Sequence, residues 1–165
     1  MIERLGIDIG NVITFSANDS PRAEGYLFTK ALPNALEVIA ELVARRFKDE
    51  VYLVSKCGFR MQARTRQWLR AQDFYAKTGV APDNVWFCLQ RREKANIAEV
   101  LGLTHFIDDR LEILSYLTTV PNRILFRPKQ KEVDRWNEEL PFVDRVERWS
   151  DVRALWLTAH ETSGA

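Results

Sequence analysis

The stretch GIDIGNV, residues 6–12, places Asp8 at the end of a short apolar run. Two later runs end in polar residues in the same way: VYLVSKC reaches Ser55, and HFIDDR reaches Asp108 and Asp109. Short apolar runs of this kind are typical of buried strands in a parallel sheet. Because open α/β sheets bind their ligands at the carboxyl ends of the strands, we expect these side chains to meet at one edge.

Strand-like and helix-like segments alternate along the rest of the chain. Strands are predicted over residues 4–9, 51–54, 85–88, 104–107 and 123–126 and near residue 146. Helices are predicted over residues 33–47, 59–72, 93–101, 111–117 and 151–157. Pro33 suits a first helical turn, Gly102 a C-cap and Ser150 an N-cap, whereas residues 14–32 and 127–144 are predicted to be irregular. The alternation predicts an α/β fold, a Rossmann-like, doubly wound, largely parallel sheet with helices on both faces.

The composition is that of one ordinary domain. The chain has 165 residues, 46% hydrophobic and 28% charged, so we expect a single domain over residues 1–158 and a frayed tail over residues 159–165. A net charge of +1 gives no global reason to expect nucleic acid or an anionic membrane as a partner. We expect a cytoplasmic protein, since no leader precedes the first strand and no apolar run approaches the roughly 20 residues of a membrane span. Cys57 and Cys88 are expected to be reduced thiols.

The side chains expected at the sheet edge have a definite chemistry. Several carboxylates together are costly unless a cation lies among them, and oxygen ligands of this kind suit Mg²⁺. Ser55 offers a hydroxyl, and Lys94, in RREKANIAEVLG, offers a positive charge to the oxygens of a phosphoryl group. The set predicts phosphoryl transfer with a nucleophilic aspartate, a metal ion and an anion clamp.

Over roughly residues 4–118, the four motifs resemble those of the haloacid dehalogenase superfamily of phosphohydrolases in order and spacing. The resemblance implies that Asp8 is the nucleophile and forms an aspartyl-phosphate intermediate. It implies that Mg²⁺ is bound by Asp8, Asp108 and the backbone carbonyl of Gly10, with Asp109 supporting the ion through water or hydrogen bonds.

The resemblance also implies a substrate-binding set. Ser55 and Lys94 bind the phosphoryl oxygens and act in catalysis with Asp8. Asn11 and Lys56 complete the predicted set, although a plain surface lysine is the commoner role for a residue such as Lys56. The expected partner is a phosphorylated small molecule or a macromolecular phosphate ester.

One position departs from the family pattern. The usual first motif is Asp-x-Asp, whose second aspartate protonates the leaving group and then activates water, and here that position is Gly10. A general acid–base typically contributes about two to four orders of magnitude in rate, so we expect slow or restricted turnover or another acid. Glu112, one helical turn beyond the aspartate pair, is the candidate for a compensating carboxylate or an outer metal ligand. Family phosphatases with an Asp-x-Gly-Asn motif are known, so an active enzyme is still expected.

The gaps between motifs leave no room for the large cap domain that usually sets substrate choice in this family. We therefore expect a capless, open site, suited to a bulky ester or closed by a neighbouring subunit of a homo-oligomer.

Several alternatives stay open at this point. The arginines of the helix after Ser55 make a nucleotidase or polynucleotide-end phosphatase an alternative, although nucleic acid is not favoured as a partner; they are Arg60, Arg64, Arg66 and Arg70. Loss of the acid–base residue leaves room for a catalytically weak pseudoenzyme or a phosphotransferase that binds a phosphorylated partner. Core packing is the expected role of the five tryptophans, and His105 and His160 lack the spacing of a zinc site.

Overall fold

The computed structural model describes residues 1–15 and 29–158. Six strands form in the described residues: β1 (Leu5–Ile7), β2 (Val51–Lys56), β3 (Val85–Cys88), β4 (His105–Asp108), β5 (Asn122–Phe126) and β6 (Asp144–Val146). The helices are α1 (Ala35–Leu42), α2 (Phe59–Ala71), α3 (Phe74–Thr78), α4 (Glu93–Leu101), α5 (Leu111–Tyr116), α6 (Gln130–Arg135) and α7 (Trp149–Arg153). A π-helical turn extends α1 over Val43–Phe47 and α7 over Ala154–Thr158, and 3₁₀ turns form at Pro82–Asn84 and Asn137–Phe142.

The strands form one parallel sheet in the order β3-β2-β1-β4-β5-β6. Strand β1 lies in the middle, with Ile7 beside Leu53 of β2 and Ile107 of β4. The chain therefore winds outward from β1 in both directions, and the strand order reverses between β1 and β4. The predicted doubly wound α/β sheet is confirmed.

Successive side chains along the strands enter two separate cores. In β4, Phe106 packs into one core and Ile107 into the other, as expected from the two-residue period of a strand. Helices α1, α2, α3 and α7 cover the first face, and α4, α5 and α6 cover the second. Because both faces are buried, the sheet edge at the carboxyl ends is where polar side chains can collect.

Two predicted helix starts are wrong. Helix α1 begins at Ala35, after Asn34 in the left-handed conformation, so Pro33 lies outside its first turn. Helix α7 begins at Trp149 with Arg148 at the N-cap, and Ser150 is inside the helix. The capping carboxylate is that of Asp151, whose Oδ2 accepts hydrogen bonds from the backbone N–H groups of Glu147 and Arg148.

Residues 127–144 are not irregular as predicted, because α6 and a 3₁₀ turn occupy most of them. Val133, the apolar residue at the centre of α6, is buried in the second core, and this contact fixes the segment. Most of the other irregular stretch, and the tail predicted to be frayed, lie outside the described residues.

Between β2 and β3 the chain forms α2, α3 and a 3₁₀ turn. Trp68, Leu69 and Phe74 of these helices pack into the first core, so the segment covers the sheet and forms no separate lid. No cap domain is present in the ranges that the structure describes. Within the same ranges, no helix combines the length and apolarity needed to cross a membrane.

Candidate active site

Asp8 lies directly beyond β1, at the point where the strand order reverses. Its backbone N–H donates a hydrogen bond to the carbonyl oxygen of Ile107 at 3.0 Å, which continues the β1–β4 ladder by one residue. Asp108 is the last residue of the neighbouring strand β4. The register of the sheet thus brings two carboxylates from distant parts of the sequence to adjacent strand ends.

Lys94 lies between these two carboxylates. Its Nζ donates hydrogen bonds to Oδ1 of Asp8 at 3.0 Å and to Oδ2 of Asp108 at 2.8 Å. The side chain is only 1% exposed and comes from the first turn of α4. Burial alone would lower the pKa of this ammonium group, but Asp108 and Asp8 raise it above its usual value. Lys94 is therefore a permanently charged group held inside the protein.

One lysine does not balance the acidic charge around it. A carboxylate oxygen from each of Asp8, Asp108 and Asp109 lies within 4.8 Å of the other two. Burial raises the pKa of Asp8, an effect that Asp108 increases and Lys94 opposes. Burial also raises the pKa of Asp109, with Asp8 and Asp108 adding to the shift. Three acidic groups and one cation leave an excess of negative charge at the sheet edge.

The residues present fit a divalent cation. The three carboxylates supply the hard oxygen ligands that Mg²⁺ takes, together with waters and substrate oxygens. The raised pKa values of Asp8 and Asp109 are the electrostatic sign that a further positive charge would stabilise the ionised cluster. Gly10, predicted to offer its carbonyl oxygen, lines the same cleft.

A cleft of about 190 Å³ opens above these groups. Its lining includes every predicted site residue except Asp108: Asp8, Gly10, Asn11, Ser55, Lys56, Lys94 and Asp109. Asp108 lies behind the cleft with no exposed surface, and its Oδ1 accepts a hydrogen bond from the backbone N–H of Arg110 at 3.0 Å.

The positions of Ser55 and Asn11 follow from the local backbone. Ser55 is the second last residue of β2 and is 8% exposed, so its side chain faces the cleft from a rigid strand. Asn11 has a φ of 62°, and its N–H donates to the carbonyl oxygen of Thr14 at 2.7 Å. Asparagine tolerates this left-handed conformation better than most residues, which explains its place in the tight turn after Asp8.

Two further basic residues, Arg91 and Arg110, line the cleft and were not predicted as site residues. Arg91 is three residues before Lys94, and Arg110 directly follows Asp109. This closeness in sequence to predicted site residues is the signal that could have identified them. Arg91 also pairs with Glu112, the candidate for a compensating carboxylate or an outer metal ligand. Its Nη1 donates to Oε1 of Glu112 at 3.2 Å, so Glu112 forms an ion pair outside the carboxylate cluster.

The two cysteines near the site, and His105 at the opposite end of β4, are poorly suited to the chemistry. Cys57 and Cys88 are free thiols, as expected, and burial raises the pKa of both, that of Cys88 to about 11. A neutral thiol is a weak nucleophile. His105 is buried beside Thr104 and the Arg46 guanidinium, which is the arrangement of a structural histidine.

The arginines on α2 were the reason for considering the end of a nucleic-acid strand as a substrate. None of them lines the cleft. Arg66, one of the four, lies over the ring of Phe87, with its guanidinium carbon 5.0 Å from the ring centre. Among the tryptophans, Trp68, Trp149 and Trp156 are buried in the first core, whereas Trp86 on the edge strand β3 is 36% exposed. Core packing thus accounts for most of them but not for Trp86.

Similarity to known proteins is found in the fold and not in the sequence. No family model matches the chain, and no curated protein matches it. A crystal structure of a haloacid dehalogenase-like family hydrolase from Xanthomonas campestris is similar with a TM-score of 0.55 and 12% identity, covering 97% of this chain and 98% of that one. The chain shares the α/β, Rossmann-like fold of that protein. A de novo designed Rossmann 3x3 protein has a lower TM-score of 0.44, with 14% identity over 92% of this chain and 90% of its own.

Replacing Lys94 by methionine tests its role between the carboxylates. The variant leaves two buried carboxyl groups without their cation, and we expect the free energy of unfolding in EDTA to fall by about 3 kcal/mol at about pH 7. The loss should be smaller at about pH 5, because protonation of the carboxyl groups removes the uncompensated charge. Urea unfolding of the wild type and of Lys94→Met at each pH measures this difference in the free energy of unfolding. An equal loss at the two pH values would show that packing of the lysine stem, and not its charge, stabilises the site.

Proposed function

We propose that this protein is a Mg²⁺-dependent phosphatase of the haloacid dehalogenase superfamily, which hydrolyses a phosphate monoester through an aspartyl-phosphate on Asp8. The observation that carries the proposal is the buried Lys94, bonded to both Asp8 and Asp108 at the floor of a cleft that Ser55 also lines. The arrangement combines a fixed carboxylate, a permanent cation and a hydroxyl where a phosphoryl group can enter.

In the first step, a carboxylate oxygen of Asp8 attacks the phosphorus of the monoester. The P–O bond to the leaving group breaks, and the leaving group departs with its electron pair and takes a proton from solvent. Lys94 fixes the orientation of Asp8, and it remains positively charged while negative charge accumulates on the phosphoryl oxygens. The Ser55 hydroxyl donates a hydrogen bond to one of those oxygens.

In the second step, a water molecule attacks the phosphorus of the acyl phosphate. The bond between phosphorus and the Asp8 oxygen breaks, which regenerates the carboxylate and releases inorganic phosphate. Asp8, Asp108 and the Gly10 carbonyl would hold Mg²⁺, with Asp109 beside them. When bound, the ion offsets the negative charge of the phosphoryl group and of the carboxylates.

The site has a weak point in both steps. Among the described residues that line the cleft, the carboxyl groups are Asp8 and Asp109, and both belong to the metal cluster. Gly10 supplies no side chain to protonate the leaving group or to activate water. Esters with good leaving groups, such as aryl phosphates, should therefore be hydrolysed much faster than alkyl phosphates.

The first prediction concerns the nucleophile. With Mg²⁺, the wild-type protein should hydrolyse p-nitrophenyl phosphate, and both EDTA and Asp8→Asn should reduce the rate by at least about two orders of magnitude. Asp83→Asn, an identical change at an exposed position of a 3₁₀ turn, serves as the matched control and should leave the rate unchanged. Circular dichroism and urea unfolding check that each variant is folded. Full activity in folded Asp8→Asn would contradict the covalent mechanism.

The second prediction concerns the missing acid–base. A Cβ built on Gly10 meets no atom within 4 Å, so the first side-chain carbon of Gly10→Asp fits without a clash, at a position that lines the cleft. If the absent carboxyl group limits turnover, this variant should hydrolyse an alkyl phosphate about tenfold or more faster than the wild type, with a smaller gain for p-nitrophenyl phosphate. Gly10→Asn controls for the added volume. No gain in a folded protein would mean that another group already supplies the proton.

The absence of a side chain at Gly10 also favours a second candidate function. Activation of water is one of the steps that this position weakens, and an acceptor that is a better nucleophile than water depends less on it. A phosphotransferase would use the same first step. In its second step the acceptor, in place of water, attacks the phosphorus of the acyl phosphate, loses its proton to solvent and releases the Asp8 carboxylate. Aryl phosphate consumption that rises with added alcohols, at constant phosphate release, would favour this candidate over the phosphatase.

A further inference from the structure

A second cleft adjoins the candidate active site. It has a volume of about 180 Å³, and its basic lining residues are Arg110, Lys129, Lys131 and Arg135. We refer to these four residues as the basic cleft. Three of them come from α6 or from the residue before it, in the segment for which the sequence predicted no structure.

The two clefts form one continuous surface. Asn11, Asp109 and Arg110 line both of them, so the basic cleft begins where the carboxylate cluster ends. A molecule whose phosphoryl group lies at Asp8 can extend across Asn11 and Asp109 into the basic cleft.

The positive charge of the basic cleft is only partly balanced. Two acidic residues also line this cleft: Asp109, which belongs to the carboxylate cluster, and Glu132. Oε2 of Glu132 lies 3.8 Å from Nη1 of Arg110, and its Oε1 accepts a hydrogen bond from the backbone N–H of Glu112. Lys129 and Lys131 form no ion pair with the described part of the chain. Arg135 lies over the ring of Trp136, with its guanidinium carbon 5.9 Å from the ring centre.

Like charges that converge on one concavity repel one another, and an anion removes that repulsion. In contrast, the arginines of α2 lie outside both clefts, so they do not extend this basic surface along the helix. A compact anionic group fits this distribution better than a nucleic-acid strand, which needs a basic groove along its backbone.

We propose that the substrate carries, besides the phosphate monoester, a second anionic group that Lys129, Lys131 and Arg135 bind in the basic cleft. The group is a phosphate or a carboxylate, since both offer oxygens to ammonium and guanidinium donors. The inference rests on the proposed function for the position of the monoester and adds the chemical class of the substrate.

The test uses five aryl esters built on one ring: phenyl phosphate, and the meta and para isomers of carboxyphenyl phosphate and of phenylene bisphosphate. For each protein, kcat/KM of a doubly anionic ester is divided by that of phenyl phosphate. Differences in leaving group cancel when this ratio is compared between variants. Comparing the carboxyphenyl phosphates with the phenylene bisphosphates shows whether the second anionic group is a carboxylate or a phosphate.

The double variant Lys129→Gln/Lys131→Gln should lower the ratio by about fivefold to tenfold for at least one doubly anionic ester. The matched control, Arg70→Gln/Lys77→Gln, removes two positive charges from exposed positions outside both clefts and should leave the ratio unchanged. The wild-type preference should also shrink as NaCl is raised, because the lysines are exposed. Equal ratios in the wild type and the lysine variant for every ester would overturn the inference.

A binding measurement separates this inference from the proposed function. Calorimetric titration of the Asp8→Asn protein with the same esters should show tighter binding of a doubly anionic one, and loss of that preference on adding the lysine changes. If no ester is hydrolysed but this preference is seen, the second-anion site stands and the phosphatase proposal fails. If phenyl phosphate is hydrolysed and no preference is found by either method, the phosphatase stands and the second-anion site is overturned.

Discussion

The ion pairs that Lys94 makes with Asp8 and Asp108 are the interaction on which the site depends. They are buried, and burying one cation with several carboxylates is costly unless each charge has a partner. The hydrogen bonds at 3.0 and 2.8 Å supply those partners for Lys94 but leave the cluster with excess negative charge. In the proposed function, a bound cation offsets this excess charge and, with it, the oxygens of a phosphoryl group are held. The electrostatics of the site therefore connect the fold to the proposed chemistry.

The sheet makes this costly arrangement feasible because it is rigid and buried on both faces. Asp8 and Asp108 follow or end the two central strands, where the strand order reverses, and Ser55 is carried by β2 on the other side of β1. Their positions are set by backbone pairing and by two hydrophobic cores, not by the site residues themselves. The fold can thus hold like charges together at a cost that core packing offsets.

The sequence predicted the parts that depend on local pattern. The apolar runs that end in Asp8 and Asp108 predict two strands. Because the ends of parallel strands meet at one edge of the sheet, the carboxylate cluster could be predicted from the sequence. The positions of α6 and of Glu112 did not, because they depend on tertiary contacts. Helix α6 has a single buried apolar residue, Val133, and Glu112 pairs with Arg91, which lies 21 positions earlier in the chain. The basic cleft beside the site was missed for the same reason.

The central claim is that Asp8 becomes phosphorylated. The most direct test is to mix the protein with p-nitrophenyl phosphate and Mg²⁺, quench with acid, reduce with borohydride and analyse the peptide that contains Asp8 by mass spectrometry. An acyl phosphate is reduced by borohydride, whereas a free carboxylate is not, so we expect homoserine in place of Asp8 in samples quenched during turnover. An unmodified Asp8 in a protein that is releasing phosphate at the time of quenching would show that hydrolysis does not pass through an aspartyl-phosphate at this residue.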